Sequence, residues 1–581
     1  MTTSNFPPSI KLQIIEDLSF LYGQQQADAL VDRIQKILET YAPAMQTLEA
    51  KPLTEKDVVL ITYADQLSSP DKSPLKTLGT FLSNYLSEFI TTVHILPFYP
   101  FSSDDGFSVI DYRQVNPEFG DWEDVEHIGE TFTLMFDAVI NHISANSNWF
   151  QGFLRNEPPF NRYFITVDPA ADLSSVVRPR DLPLLTPFQT PEGERHLWTT
   201  FSTDQIDLNF KNPAVLLEIL DLLLYYVSKG ARIIRLDAIA FLWKEIGTSS
   251  IHLPQTHHLI KLMRLIIEQV APHVLLLTET NVPHAENISY FGEGDDEAHM
   301  VYQFALPPLI LHTLISGDSS RISDWAASLQ RPSDEVTYFN FTASHDGIGV
   351  RPARDLLTDQ EIDNLIKVVQ DHGGGISYRR VGVDERQAYE LNINYFDALN
   401  HPAELEEDPR RCIDRFLCSQ AIMLSIPGLP AIYFHSLFGS RNDLLGVEKT
   451  GHLRSINREK LSLMPFESEI VASGTRRNLV FDGYQRLIKT RASHPAFTPW
   501  GDHKILKLGS QVFAILRFNP QVNSKLLCLH EISGQELVID ATLEGRLPSS
   551  GSDMLTNQDI ALTKVSMRPY QVRWIRLNEC K

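Results

Sequence analysis

Cysteine is scarce in this 581-residue chain: four residues, Cys412, Cys418, Cys528 and Cys580, none of them at metal-ligand spacing. That argues against a disulfide scaffold or a thiolate metal site and predicts reduced thiols in a cytoplasmic protein. Positive charge is short as well. Lys and Arg number 51 against 73 Asp and Glu, a formal net charge of −22, which disfavours nucleic acid or an anionic membrane surface as the main partner. An anionic substrate must then be drawn in by a local basic pocket. No uncharged apolar run approaches the roughly 18 residues of a membrane span. The opening MTTSNFPPSIKLQ lacks the basic segment and apolar core of a secretory signal. What remains is an ordinary globular composition, 43% hydrophobic and 21% charged, long enough for more than one domain.

Residues 1–56 carry apolar positions at helical spacing, in LQIIEDLSFLYG and ALVDRIQKILETY, and predict a docked helical extension. From there β-rich apolar runs alternate with helix-like stretches. They are VVLITYAD (58–65), TTVHILPF (91–98), TLMFDAVINH (133–142), ARIIRLDA (231–238), VLLLTET (274–280), MVYQFAL (300–306), VTYFNFTASHD (336–346) and LPAIYFHSL (429–437). Eight such runs predict an α/β chain built on a parallel (β/α)8 barrel over 57–494. Three intervals are too long for simple crossovers: about 143–230 and 347–428 predict inserted subdomains, and 438–460 predicts a long loop after the last strand. From about 495 to 581 short alternating runs such as VFAILRF and QVRWIRL predict a small antiparallel β domain.

In such a barrel the active site lies at the C-terminal ends of the strands, and there this chain places its polar residues. The third strand ends in Asn141 and His142, the fourth in Arg235 and Asp237, the fifth in Glu279, the seventh in His345 and Asp346. A single one of these reads as a satisfied strand-end group. All of them together do not, because clustered carboxylates repel one another. Paired carboxylates without metal-ligand clustering suit glycoside chemistry: one attacks the anomeric carbon, the other protonates the leaving oxygen. Arg235, inside an apolar strand, can hold the nucleophile ionised and oriented.

At these residues the sequence resembles the α-amylase family of retaining glycosidases over roughly 57–460. DAVINH (137–142), IIRLDAIAF (233–241), LLTETN (276–281) and ASHDGIG (343–349) match its four conserved regions in order. The resemblance implies Asp237 as nucleophile, Glu279 as acid/base and Asp346 as the third carboxylate, with His142, Arg235 and His345 on the glucosyl unit. LITYAD (60–65), HILPFYPFSSDDGFSVIDY (94–112), RPR (178–180) and INR (456–458) are similar to the sucrose phosphorylase branch. That likeness implies a short pocket closed by Asp105 and Phe107, with Arg458 and Gln205 also binding substrate. It implies phosphate or acceptor contacts at Arg180, Tyr389, Arg386, Gln387 and Glu390. It also implies inorganic phosphate as co-substrate and no cofactor or metal.

Thr280-Asn281 after the acid/base, and Arg386-Gln387-Ala388-Tyr389-Glu390 in what reads as a late acceptor loop, depart from plain sucrose phosphorylases. Together with HLWTTFSTDQIDLN (196–209) they look more like the glucosylglycerate and glucosylglycerol phosphorylases. The expected function is therefore a reversible, retaining transfer of one glucosyl unit between a glycerol-type acceptor and phosphate, by a cytoplasmic monomer or homodimer. Sucrose or sucrose 6′-phosphate phosphorolysis, a related α-glucosidase or transglucosidase, and a non-catalytic sugar-binding barrel are the competing readings. The third leaves an intact set of three carboxylates unexplained.

Overall fold

The computed structural model describes residues 6–45, 52–381, 385–543 and 547–578. At its centre stand eight strands: β1 (Val59–Thr62), β2 (Thr92–Ile95), β3 (Thr133–Ala138), β4 (Ala231–Leu236), β5 (Leu275–Thr278), β6 (Met300–Tyr302), β7 (Thr337–Asn340) and β8 (Leu429–Tyr433). Every neighbouring pair is parallel, and β8 pairs with β1, so the sheet closes into a barrel. Each strand falls inside one of the eight apolar runs. β1 is buried at every position, as befits a parallel strand with the barrel interior on one face and helices on the other.

Helix starts are written locally. In α3 (Pro213–Ser228) the Asn212 side chain accepts from the Ala214 N–H and proline opens the first turn. Leu220, Leu223, Leu224 and Val227 then bury one side of it. Ahead of the barrel, α1 (Pro8–Tyr22) packs on α4 (Pro254–Glu268), and α2 (Gln24–Met45) packs on α3. His258 Nδ1 lies 2.6 Å from Asp17 Oδ1, and its ring stacks on Phe20 at 4.1 Å. The N-terminal helices thus clasp two barrel helices from outside.

Between β3 and β4 lie two small antiparallel pairs, 142–144 with 205–207 and 185–190 with 193–198. Between β7 and β8 an antiparallel hairpin, Gly375–Val381 and Glu385–Asn392, is extended by Ile348–Gly349. The stretch 386–390, expected as a loop, is therefore strand. The helix Pro409–Ser425 leads directly into β8 with most of its length buried. It serves as the crossover helix of the barrel rather than as part of the insertion expected to reach residue 428. A six-stranded antiparallel sheet between Asp502 and Leu577, with a separate pair 537–539 and 565–567, closes the chain. Arg517 ties that sheet to the barrel, donating from Nη1 to Ser425 O and from Nη2 to Thr498 O, both at 2.9 Å. Cys412, Cys418 and Cys528 are buried free thiols, while Cys580 lies outside the described residues. Among the described residues no helix is long and apolar enough to cross a membrane.

Candidate active site

The barrel brings Asp237, Glu279 and Asp346 to one mouth from the ends of β4, β5 and β7. Arg235, only 2% exposed, organises them. Its side chain leaves β4 in register with Asp137 on β3, and Nη1 donates to both Asp137 and Asp237, the latter at 2.8 Å. Asp137 is itself held by His94 Nε2 at 2.7 Å. Nη2 of Arg235 is 4.0 Å from Glu279 Oε1. Ala238 takes a left-handed backbone at φ +49°, a conformation that costs an alanine about 1 kcal/mol. Its N–H thereby donates to Glu279 Oε2 at 2.9 Å. A buried arginine among acids is stable only when its hydrogen bonds and charge are matched, and here two carboxylates meet it directly.

This arrangement separates the three carboxylates electrostatically. Burial pushes Asp237 and Glu279 up to about 7 against the pull of Arg235, with the charges of Asp137 and Asp346 adding to the rise at Asp237 and those of Asp237 and Asp346 at Glu279. Asp346 is buried too, yet Arg454, His345, Arg458 and Arg235 together hold it well below the usual carboxylate range. Asp346 is thus the fixed anion, and Asp237 and Glu279 share one proton near neutrality. Arg235 donates to Asp237 at 2.8 Å but stays 4.0 Å from Glu279, which places that proton on Glu279.

One wall is the segment 101–109. Phe107 stacks on His345, centroids 4.6 Å apart and planes within 5°. Burial drives His345 down to about 3, so the ring is neutral. The Phe107 carbonyl accepts from His142 Nε2 at 2.9 Å and Gln205 Nε2 at 3.0 Å. Asp105, at φ +48°, accepts from Arg458 Nη1 at 2.7 Å. Asp204 pins the same segment, accepting from the hydroxyls of Ser102, Ser103 and Ser108. His142 and Gln205 therefore shape the wall through backbone, with their Nε2 hydrogens already engaged.

The opposite wall is the hairpin. Ser377 pairs with Glu390 but Tyr378 with Ala388, which leaves Tyr389 as an extra residue. Such a bulge breaks strict alternation, and the neighbours Tyr389 and Glu390 are both buried. Tyr389 OH accepts from Asn281 Nδ2 at 3.4 Å, and Arg180 lies over the Tyr389 ring at 6.0 Å. Glu390 has a different place from the expected acceptor contact: both its oxygens accept from Arg454, whose Nη1 is 2.6 Å from Asp346 Oδ1. Arg386, expected to line the phosphate or acceptor site, is 67% exposed and pairs with Asp181 at 2.9 Å. Gln387 accepts from Arg379 Nη2 at 2.8 Å.

Sequence reasoning missed Arg454. The signal was its place four residues before Arg458 in LRSINR, within one 3-10 turn, Leu453–Asn457. It also missed Lys244, a buried ammonium that donates to Asn141 Oδ1 at 2.7 Å and pairs with Asp207 Oδ2 at 2.7 Å. That pair fixes Asn141, whose amide reaches His142 Nδ1.

Four likenesses bear on this geometry. The model of the alpha amylase catalytic domain matches residues 83–348. A glucosylglycerate phosphorylase of Spirochaeta thermophila is 48% identical over 577 residues, 96% of this chain and 97% of that protein. One of Escherichia coli is 47% identical over 569 residues, 98% of this chain and 100% of the other. Among solved structures, a sucrose 6F-phosphate phosphorylase from Thermoanaerobacter thermosaccharolyticum matches with a TM-score of 0.73 at 24% identity, covering 90% of this chain and 100% of that one.

Proposed function

We propose that this chain, which belongs to the α-amylase family, is a glucosylglycerate phosphorylase that exchanges the glycerate of an α-glucoside for phosphate and releases α-glucose 1-phosphate. The observation that carries the reading is the conjunction of two facts. The chain is 48% identical to such an enzyme over nearly its whole length, and Asp237, Glu279 and Asp346 stand with their ionic partners at one barrel mouth.

In the mechanism, an Asp237 oxygen attacks the anomeric carbon as the bond to the glycerate oxygen breaks. Glu279 gives its proton to that departing oxygen. A β-glucosyl ester on Asp237 results, and the first inversion is complete. Phosphate then attacks the same carbon, the ester breaks, and Glu279 takes a proton from the incoming phosphate. Two inversions give net retention. Asp346, kept anionic by Arg454 and Arg458, stabilises the positive charge that develops on the sugar ring. The Phe107–His345 stack and the Asp105–Arg458 pair close the pocket around one glucosyl unit, which limits water as a competing nucleophile. The atoms balance with phosphate as co-substrate and no further cofactor.

The acceptor assignment is tested by the reverse reaction with α-glucose 1-phosphate and, separately, glycerate, glycerol, fructose and fructose 6-phosphate. Phosphate release is expected to be fastest with glycerate. Preferred transfer to either fructose compound would overturn the glycerate assignment and leave the carboxylate roles standing.

A further inference from the structure

Beside the acceptor wall stands a positive charge, Arg379, that has no carboxylate partner among the described residues. Arg379, on the first strand of the hairpin, faces Gln387 across the ladder and donates from Nη2 to its side-chain oxygen at 2.8 Å. That partner is a neutral amide. Nε of Arg379 is buried and has no hydrogen-bond partner. The charges around it are mostly of its own sign: Arg351 and Arg354 lie alongside, with Glu286 beyond, and together with burial the two arginines push Arg379 below the ordinary arginine value. Glu286 offsets this only in part, since its oxygens serve Arg351 Nη2 at 3.2 Å and His252 Nε2 at 3.1 Å. Arg354 is engaged elsewhere, near Asp359 and the Ala388 carbonyl.

Half-burying a guanidinium against two others is unfavourable unless an anion completes the site. A chain of charge −22 has carboxylates to spare, yet among the described residues none pairs with Arg379. Its position relative to the chemistry is set by a short chain of contacts. Tyr389 lies two residues beyond Gln387 on the same strand. Its hydroxyl accepts from Asn281, which is two residues beyond Glu279, just past the end of β5. Asn281 Oδ1 is a second buried atom with no partner, and it can accept from an acceptor hydroxyl. A cation and an amide oxygen together match an α-hydroxy acid better than a neutral polyol.

We propose that Arg379 is the oxyanion-binding residue of the acceptor subsite, taking the carboxylate of glycerate or an oxygen of inorganic phosphate as each arrives in its turn. The proposal rests on the phosphorylase reading above. Both ligands are small oxyanions that approach the anomeric carbon from the same side, so one fixed guanidinium can serve either half-reaction.

The test uses the full-length enzyme with α-glucosyl fluoride as donor, so that glycerate, phosphate and water are compared as nucleophiles against one leaving group. In Arg379→Met the KM of at least one of the two oxyanions is expected to rise tenfold or more, with the rate of hydrolysis to glucose within threefold of wild type. Arg379→Lys is expected to recover part of the loss. A rise for glycerate alone assigns the carboxylate, a rise for phosphate alone assigns phosphate, and a rise for both assigns a shared site. Unchanged KM values for both overturn the proposal. An equal fall of all three rates, water included, makes Arg379 structural and overturns it too. A wild-type enzyme that transfers glucosyl to neither oxyanion would overturn the function and this site with it, whereas wild-type transfer surviving Arg379→Met unchanged overturns the site alone.

Discussion

Replacing Glu279 by Gln should stabilise the protein, and by an amount that grows with pH. Glu279 is pushed from an ordinary 4.5 up to about 7. A carboxyl whose folded pKa is raised lends its full stability below the unfolded value, and that stability is lost as pH rises through the folded value. Between pH 5 and pH 8 the loss for an isolated group with this shift is about 2.5 kcal/mol, at 1.36 kcal/mol per unit. Asp237 shares the proton, so about 1–2.5 kcal/mol is the expected range. Glutamine keeps the shape and does not titrate, and the Ala238 N–H still finds its side-chain oxygen. Denaturant unfolding of wild type and Glu279→Gln at pH 5 and pH 8 gives the difference directly. The variant should gain on wild type by that amount at pH 8 relative to pH 5. A stability difference that is flat with pH, or that shrinks as pH rises, would refute the electrostatic account of the site.

Asp237→Asn should lose turnover by about four orders of magnitude or more while unfolding as wild type does, since nucleophilic attack needs the charge and the fold needs only the shape; a folded variant near wild-type rate contradicts the assignment. Glu279→Gln should retain a larger share of activity on α-glucosyl fluoride than on glucosylglycerate, because fluoride departs with less need of a proton; equal losses on both would count against Glu279 as the acid. Glu390→Gln should lower kcat by about ten-fold or more through Arg454, which would lose its bidentate partner and its grip on Asp346; an unchanged kcat would show that Arg454 holds Asp346 unaided. Plotted against pH, kcat/KM should be bell-shaped around neutrality, falling on the acid side as Asp237 protonates and on the alkaline side as Glu279 loses its proton.

The barrel was legible because parallel strands, buried on both faces, read as unbroken apolar runs. The carboxylates gathered at the barrel mouth were legible because Asp237, Glu279 and Asp346 interrupt or end those runs, where a charge needs a reason. The acceptor side was not. Arg386 and Glu390 look alike in sequence, as charged residues of one polar stretch. Which of them turns inward depends on the strand pairing and on the bulge at Tyr389. Arg454 was hidden for another reason: it meets Asp346 from more than a hundred residues away, and a lone arginine in a polar turn is ordinarily a solvated charge. Lys244 follows an apolar segment and gives no hint of the carboxylate it neutralises. Long-range ion pairs of this kind are decided by how loops fold over the barrel mouth, and local patterning does not say which distant carboxylate each cation meets.

The most direct measurement is phosphorolysis of 2-O-α-glucosylglycerate followed by NMR in phosphate-buffered and phosphate-free solution. With phosphate present, stoichiometric α-glucose 1-phosphate and free glycerate are expected, with little glucose, and negligible turnover without phosphate. Release of glucose at a rate independent of phosphate, or of the β anomer of glucose 1-phosphate, would contradict the proposed function.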